Sequence, residues 1–263
     1  MKKITCLALA LTMLAGVAFL TTSCKKTEKL VCGVTEYPPM NYREGGVWIG
    51  FDTEFAQRVG EKLGMEVEFQ MIEWTKKFDE LNSGAIDAIW NGFTATASED
   101  GVRRLDLCDM SYSYMLNTQC IVVRADRLGE LTSASSFEGM TLAAEAGSAG
   151  EEEAKGIVGD SGSVIGVAAQ INTFLEVMSG AVDGAVIDVI LAQGMVGTGD
   201  YSDLSISYQL DDEAYAIGFR KGDDLRDKVN KAMKELYDDG TLLEIAKKYG
   251  VESTLSLDTT FGR

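Results

Sequence analysis

Histidine is absent from the 263 residues. That excludes the imidazole acid–base chemistry of Ser–His and Cys–His nucleophile systems, and most zinc sites with it. Proline is almost missing too, since only Pro38 and Pro39 occur. No low-complexity linker divides the chain, so any lobes are expected to be joined by ordered strands. Basic residues are few, with 24 Lys and Arg against 41 Asp and Glu, giving a formal charge of −17. So acidic a chain excludes nucleic acid and anionic lipid as partners of its surface, because both need a positive face. Cysteine is sparse and unpatterned: past Cys6 and Cys24 only Cys32, Cys108 and Cys120 remain. An odd number without metal-like spacing argues against a disulfide framework. The apolar runs around Cys32 and Cys120 read as strands that bury free thiols. No apolar run after residue 20 reaches the ~20 residues of a membrane span. No catalytic residue, cofactor or metal is expected.

What is present is ordinary for a globular protein, 46% hydrophobic and 25% charged. The length suits one large domain or two of roughly 100–130 residues. At the N-terminus Lys2 and Lys3 precede an apolar run from Ile4 to Leu20, then Thr21-Thr22-Ser23-Cys24. A charged start, a short apolar segment and small residues before a cysteine read as an export signal. The segment resembles a lipoprotein signal in which Cys24 is acylated and becomes the mature N-terminus. It departs from the usual pattern, with Thr21 where Leu is common and Leu20 one place early. A plain secretory signal or an uncleaved anchor are the alternatives. Removing residues 1–23, with Lys2 and Lys3 and no acid, moves the formal charge from −17 to −19. Residues 24–29 are then a tether.

The chain is organised around Ser83-Gly84-Ala85-Ile86-Asp87-Ala88-Ile89-Trp90-Asn91-Gly92-Phe93-Thr94-Ala95-Thr96. Apolar residues around Asp87 run into a small polar turn, as a buried strand does when it empties into a loop at its carboxyl end. Open α/β sheets bind ligands at that edge. A second version stands at Ser179-Gly180-Ala181-Val182-Asp183-Gly184-Ala185-Val186-Ile187-Asp188. Two such strands about a hundred residues apart suggest two similar lobes with a cleft between them.

In order, Leu30–Val34 reads as a strand, and Gly45-Gly46 as a turn into Val47–Phe51. A helix is expected from Asp52, with Asp52 as N-cap, Phe51, Phe55, Val59 and Leu63 as its apolar stripe and Gly64 as its stop. Glu66–Met71 alternates as a half-exposed strand should. Trp74, Phe78 and Leu81 mark a second helix, and the strand and loop of the central stretch follow. This βαβαβ order implies a parallel sheet. Cys120–Val123 is a candidate crossover strand. Met140–Ala144 is a strand, Glu145–Gly150 a tight turn and Glu151 a helix start. Gly162–Val167, Ile171–Met178 and Ala181–Ile187 repeat the strand, helix and strand. Asp212–Phe219 looks like the return crossover, and a helical region from Asp223 to Lys248, broken at Asp239-Gly240, closes the chain.

Together these stretches resemble the extracellular solute-binding proteins of amino-acid ABC importers, family 3. The likeness rests on Tyr37-Pro38-Pro39-Met40-Asn41-Tyr42, Gly50-Phe51-Asp52, Leu81 to Thr94, Asp109 to Tyr114, Ala146-Gly147-Ser148, Val182 to Asp188, Gly218 to Asp223 and Asp239-Gly240-Thr241. The resemblance implies an α/β, two-lobed periplasmic-binding-protein fold of type II, each lobe a mostly parallel sheet flanked by helices. Lobe 1 is expected over 30–118 and 217–263, and lobe 2 over 119–216, with hinges near 119–124 and 213–218. It also implies a free amino acid as ligand and the permease subunits of an ABC importer as partner. An exported monomer held to the membrane by its lipid is expected, on a bacterial surface or in a periplasm.

An amino acid brings a carboxylate and an ammonium, and hiding either needs a partner. The carboxylate suits a guanidinium fork and backbone N–H groups, and the ammonium suits a carboxylate. In the family an arginine stands five residues after the loop threonine and five before an Asp. Here Glu99 lies five after Thr94, while Arg104 lies five before Asp109. About five extra residues near 97–101 make Arg104 the better match and Arg103 the rival; otherwise both are solvated. Asn91, Gly92 and Thr94 match ligand-contacting positions. Ser148 and the amides of Ala149 and Gly150 stand at a helix start that can hold an anion, or are a plain N-cap. Asp188 matches the ammonium-binding carboxylate, or is a surface Asp at a strand end. Tyr37 matches a stacking position, Trp90 is equally a core residue, and Glu36 is a candidate partner for a cationic side chain. Two rivals remain. A periplasmic dehydratase would add catalytic acids to the same cleft, and none is visible. A sensor module would carry a membrane span or output domain after residue 250.

Overall fold

The computed structural model describes residues 28–99 and 101–261. The expected signal, Cys24 and most of the tether lie outside the described residues. Strand β1 (Lys29–Val34) leads through the hairpin β2 (Tyr42–Glu44) and β3 (Val47–Ile49) to helix α1 (Phe51–Leu63) and strand β4 (Glu66–Met71). Helix α2 (Lys77–Ser83) and strand β5 (Ala88–Thr94) follow. A second hairpin, β6 (Ser98–Glu99) and β7 (Val102–Arg103), passes into the single turn α3 (Arg104–Leu107), β8 (Asp109–Met110) and the long β9 (Ser113–Arg124). Beyond it come β10 (Thr141–Glu145), α4 (Ala149–Val158), β11 (Ser163–Val167), α5 (Thr173–Ser179), β12 (Gly184–Asp188) and α6 (Val189–Met195). The return strand β13 (Leu204–Phe219), helices α7 (Leu225–Asp238) and α8 (Thr241–Tyr249), and β14 (Leu255–Asp258) complete the order.

Ten strands share one sheet in the order β11-β10-β12-β9-β13-β5-β1-β4, with β8 on β13 and β14 on β9. On one flank β4, β1 and β5 are parallel, and on the other β11, β10 and β12 are parallel. Helical crossovers force that direction, because a parallel neighbour cannot be reached by a tight turn. In the middle β9 and β13 run antiparallel to each other and to the strands beside them. Residues 119–122 of β9 pair with β12, while residues 215–219 of β13 pair with β5. These two strands therefore carry the chain from one lobe into the other.

The buried stripe of α1 is Phe51, Phe55 and Val59, and α7 and α8 pack against that helix. Its rings meet Tyr114 and Trp90, with Phe55 edge-on to Trp90 at 5.0 Å. Cys32, Cys108 and Cys120 are buried thiols.

Three local readings are corrected. Helix α1 begins at Phe51 behind Gly50, whose φ of 124° suits only glycine, so Asp52 lies inside the first turn instead of capping it. Helix α4 begins at Ala149, and Ser148 is its N-cap, accepting from the Glu151 amide at 3.0 Å. The central strand does not end before Asn91: β5 runs on to Thr94 with every residue buried. Its second half pairs antiparallel with β13, Phe93 opposite Ala216 and Thr94 opposite Tyr215. Small polar residues look like a loop, but here a strand distant in sequence takes up their backbone groups.

Candidate functional site

The carboxyl ends of β5, β10 and β12 converge with α3 and the start of α4 on one cavity. It is lined by Trp74, Asn91, Gly92, Thr94, Arg104, Gln119, Glu145, Ser148, Ala149, Gln170 and Asp188. A water-sized sphere can move its centre over only ≈ 10 Å³ there, about one water molecule. Trp74 also borders a larger outer cavity of ≈ 500 Å³, which Thr35, Glu36, Ala146 and residues 166–169 line.

One side of the inner cavity is cationic. Arg104 is buried and donates from Nε to Glu99 Oε1 at 3.0 Å, with Nη2 ion-paired to the same oxygen at 2.8 Å. Its Nη1 donates to the Thr94 carbonyl at 3.0 Å and its Nη2 to the Gly147 carbonyl at 3.3 Å. The guanidinium lies 4.8 Å from the Phe93 ring centre. Lys77 joins it, ion-paired with Glu99 Oε1 at 2.7 Å and donating to the Gly147 carbonyl at 2.9 Å. Burial, then the neighbouring Arg104, pulls Lys77 down to about 8. Arg103 is outside: its side chain is 68% exposed and grips Asp106 at 2.8 and 2.9 Å.

The other side is acidic. Asp188 Oδ1 accepts from Asn117 Nδ2 and Gln119 Nε2, each at 2.6 Å, and its Oδ2 accepts from Gln170 Nε2. The same two amides donate to Glu213 Oε1 at 2.5 and 3.0 Å, and Thr94 Oγ1 donates to it at 3.0 Å. Burial, with Asp188 beside it, raises Glu213 to about 8, and burial raises Asp188 as well. Glu145, at the end of β10, is buried with no hydrogen-bond partner for Oε1, and burial followed by Asp188 raises it to about 8.

Asn91, Gly92, Thr94, Arg104, Ser148, Ala149 and Asp188 thus meet in one place. The Asn91 side chain is committed: Oδ1 accepts from the Thr35 amide and Asn41, and Nδ2 donates to Thr35 Oγ1. The Gly92 amide donates to Asp52 Oδ2 at 2.7 Å, which Tyr114 also reaches. Gly92 itself is obligatory, since its φ is +56° and a Cβ would stand 2.5 Å from Tyr37 Cε1.

Three expected residues do not line the inner cavity. Trp90 is wholly buried, packed edge-on to Phe55 in the core that α1 joins. Tyr37 lies behind Gly92, its hydroxyl 2.7 Å from that of Tyr215. Glu36 stands at the outer cavity, its carboxylate held by the Arg43 amide at 3.2 Å.

Sequence reasoning passed over Lys77, Glu99, Gln119, Glu145, Gln170 and Glu213. Lys77 was legible, for it sits three residues after Trp74 and four before Leu81, on the stripe that those residues mark. Glu99, five residues after Thr94, stands where the resemblance implies an arginine, and the hairpin β6–β7 brings Arg104 back to it. The others are polar residues in strands and turns, with nothing local to say which way they face.

The model of the bacterial extracellular solute-binding proteins, family 3, matches residues 30–252. The arginine-binding extracellular protein ArtP of Bacillus subtilis (strain 168) is 30% identical over 253 residues, covering 92% of this chain and 96% of that one. Among solved structures, an ancestral arginine-binding protein bound to arginine superposes with a TM-score of 0.77 at 30% identity, covering 84% of this chain and 97% of that one. An ancestral amino acid-binding protein, a precursor of cyclohexadienyl dehydratase, superposes with a TM-score of 0.73 at 25% identity, covering 84% and 95%.

Proposed function

Because the chain belongs to the bacterial extracellular solute-binding proteins, family 3, we propose that it captures a free amino acid outside the cytoplasm and delivers it to an ABC importer. The single observation that carries this reading is the charge layout of the cavity. Arg104 and the Ser148–Ala149 end of α4 stand on one side and Asp188 on the other, as the two α-groups of an amino acid require. Asn91, Gly92 and Thr94 floor the site, and Trp74 supplies the aromatic wall for which Tyr37 and Trp90 were the candidates. The ligand carboxylate shares Arg104 with Glu99, and the ligand ammonium takes Asp188.

Closure belongs to the same reading. Lys77 and Arg104 both donate to the Gly147 carbonyl, which lies in the expected lobe 2. Ligand contacts from both sides stabilise the closed form only. Thermal-shift measurements with the twenty amino acids should find one or a few that raise the melting temperature, since a ligand of the folded state stabilises it by RT ln(1 + [L]/Kd). Small-angle scattering with the best of them should show a more compact particle. Shifts with sugars or metal ions alone would overturn the reading.

A catalytic reading, as a dehydratase, would use Glu145 as buried proton donor; ligand recovered unchanged from the complex decides for a receptor. The receptor acts as a monomer and is held to the membrane by lipid on Cys24, a segment outside the described residues. Cys24→Ala should move the protein from the membrane fraction to the soluble or secreted one, and unchanged partition in detergent would remove the anchor.

A further inference from the structure

We propose that Glu145 selects amino acids with a cationic side chain, a deeper claim that rests on the amino-acid reading above. Glu145 ends β10, is 3% exposed and lines the inner cavity. Its Oε1 has no hydrogen-bond partner. A buried carboxyl oxygen left alone is costly, and it is relieved either by holding a proton or by meeting a cation.

Every other charged group in the cavity already has an occupation. Glu99 holds Lys77 and Arg104, and both cations also donate to the Gly147 carbonyl. Asp188 and Glu213 share the Asn117 and Gln119 amides, and Asp188 has Gln170 besides. A zwitterionic ligand engages Arg104 with its carboxylate and Asp188 with its ammonium. Glu145 is the acid left over. A neutral amino acid leaves the Glu145 carboxyl protonated and its Oε1 without a partner, and a cationic one supplies the partner.

Space agrees with charge. Ala146, the next residue, borders the outer cavity of ≈ 500 Å³, and Trp74 belongs to both cavities. A ligand side chain that follows Trp74 from the α-group site toward the outer cavity starts beside Glu145, which lines the inner one. Glu36, at the outer rim and already held by Arg43, is the weaker candidate for the side-chain cation.

The groups facing Glu145 are Asp188 from β12, Lys77 from α2 and Arg104 from α3. Burial, then Asp188, leaves its carboxyl protonated through neutral pH, so an arriving cation displaces a proton. Cation binding is then coupled to pH.

Calorimetry with two matched pairs tests the proposal: L-arginine against L-citrulline, and L-lysine against L-norleucine. Within each pair the α-groups are the same; citrulline carries a carbonyl oxygen in place of one guanidinium nitrogen, and norleucine lacks the terminal ammonium. The wild type should favour the cationic member about ten- to a hundredfold, the worth of one hydrogen bond to a charge. Glu145→Gln should bring each ratio close to one. The arginine-to-citrulline ratio should also rise from pH 6 to pH 9 in the wild type and stay flat in Glu145→Gln, while Asp188 and Glu213 act alike on both ligands. Equal affinities within each pair, or ratios that Glu145→Gln leaves intact, would overturn the role of Glu145 and leave the amino-acid reading standing. If the wild type bound none of the twenty amino acids, the reading beneath it would fall first.

Discussion

Arg104 is built into the protein before any ligand meets it. Its guanidinium spends donors on Glu99, Thr94 and Gly147, and Phe93 covers its face. A buried cation held in this way keeps its fork oriented, so less freedom is lost when a carboxylate arrives. Removing one partner of a buried, hydrogen-bonded charge pair typically costs ~2–5 kcal/mol, much of it from stranding the other charge. Arg104→Ala and Asp188→Ala are therefore expected to weaken binding by about thirtyfold to several thousandfold. Arg104→Lys should also be damaging, because an ammonium cannot present a planar fork. Arg103→Ala should change affinity little, since Arg103 lies outside and holds Asp106. Calorimetry on the four variants checks this. Loss of binding with Arg103→Ala and normal binding with Arg104→Ala would move the carboxylate site.

At the scale of elements, the parallel flanks and the two crossover strands were legible, and the full lengths and pairing of β9, β13 and the end of β5 were not. The alternation of Glu66–Met71 and the stripe Phe51, Phe55 and Val59 are local patterns, and β4 and α1 follow them. The break at Asp239-Gly240 separates α7 from α8 in the same way. Strand β5 was cut short because Asn91-Gly92-Phe93-Thr94 lacks a strand's local pattern; β13, more than a hundred residues later, makes it one. The same pairing bears on the hinge. Residues 119–122 are already paired with β12 and residues 215–219 with β5. We place the bending stretch between them, at residues 116–118 of β9 and 209–214 of β13, where the register shifts between Gln209 and Asp212. The site amides Asn117 and Gln119 and the carboxylate Glu213 are on or beside this stretch, so bending would move them with the lobes. The scattering experiment above, repeated with proline at Asp212, should lose its ligand-induced compaction; unchanged compaction would put the hinge elsewhere.

Over the whole molecule, the excess of acid is matched by carboxyls that the fold prefers neutral. Burial raises Asp52 to about 7, and raises Glu145 and Glu213 to about 8. In an unfolded chain such groups titrate near 4. Between about pH 4 and 8 the folded protein therefore holds more protons, and its stability falls as pH rises through that window. Lys77, lowered to about 8 by burial, acts in the opposite sense only above pH 8. The ligand-free melting temperature should be higher at pH 6 than at pH 8, with a smaller difference in Glu145→Gln. A melting temperature that climbs over this interval would contradict neutral buried carboxyls.

The sequence by itself determined the α/β class, the two lobes, the family and seven residues of the cavity, because short motifs and the periods of strand and helix are written locally. Counting back from Asp109 ranked Arg104 ahead of Arg103 and left the choice open; the fold puts Arg104 at the cavity and Arg103 outside it. Tertiary structure alone decided which side of a strand each polar residue faces. It sent Trp90 to the core and Trp74 to the cavity, and it gathered Lys77, Glu99, Glu145 and Glu213 from separate elements around Arg104 and Asp188. The physical reason is that burial and charge pairing are made between segments distant in the chain. Glu99 and Arg104 are close neighbours in the chain, but no short window contains both Lys77 and Glu99, or Asp188 and the amides of Asn117 and Gln119.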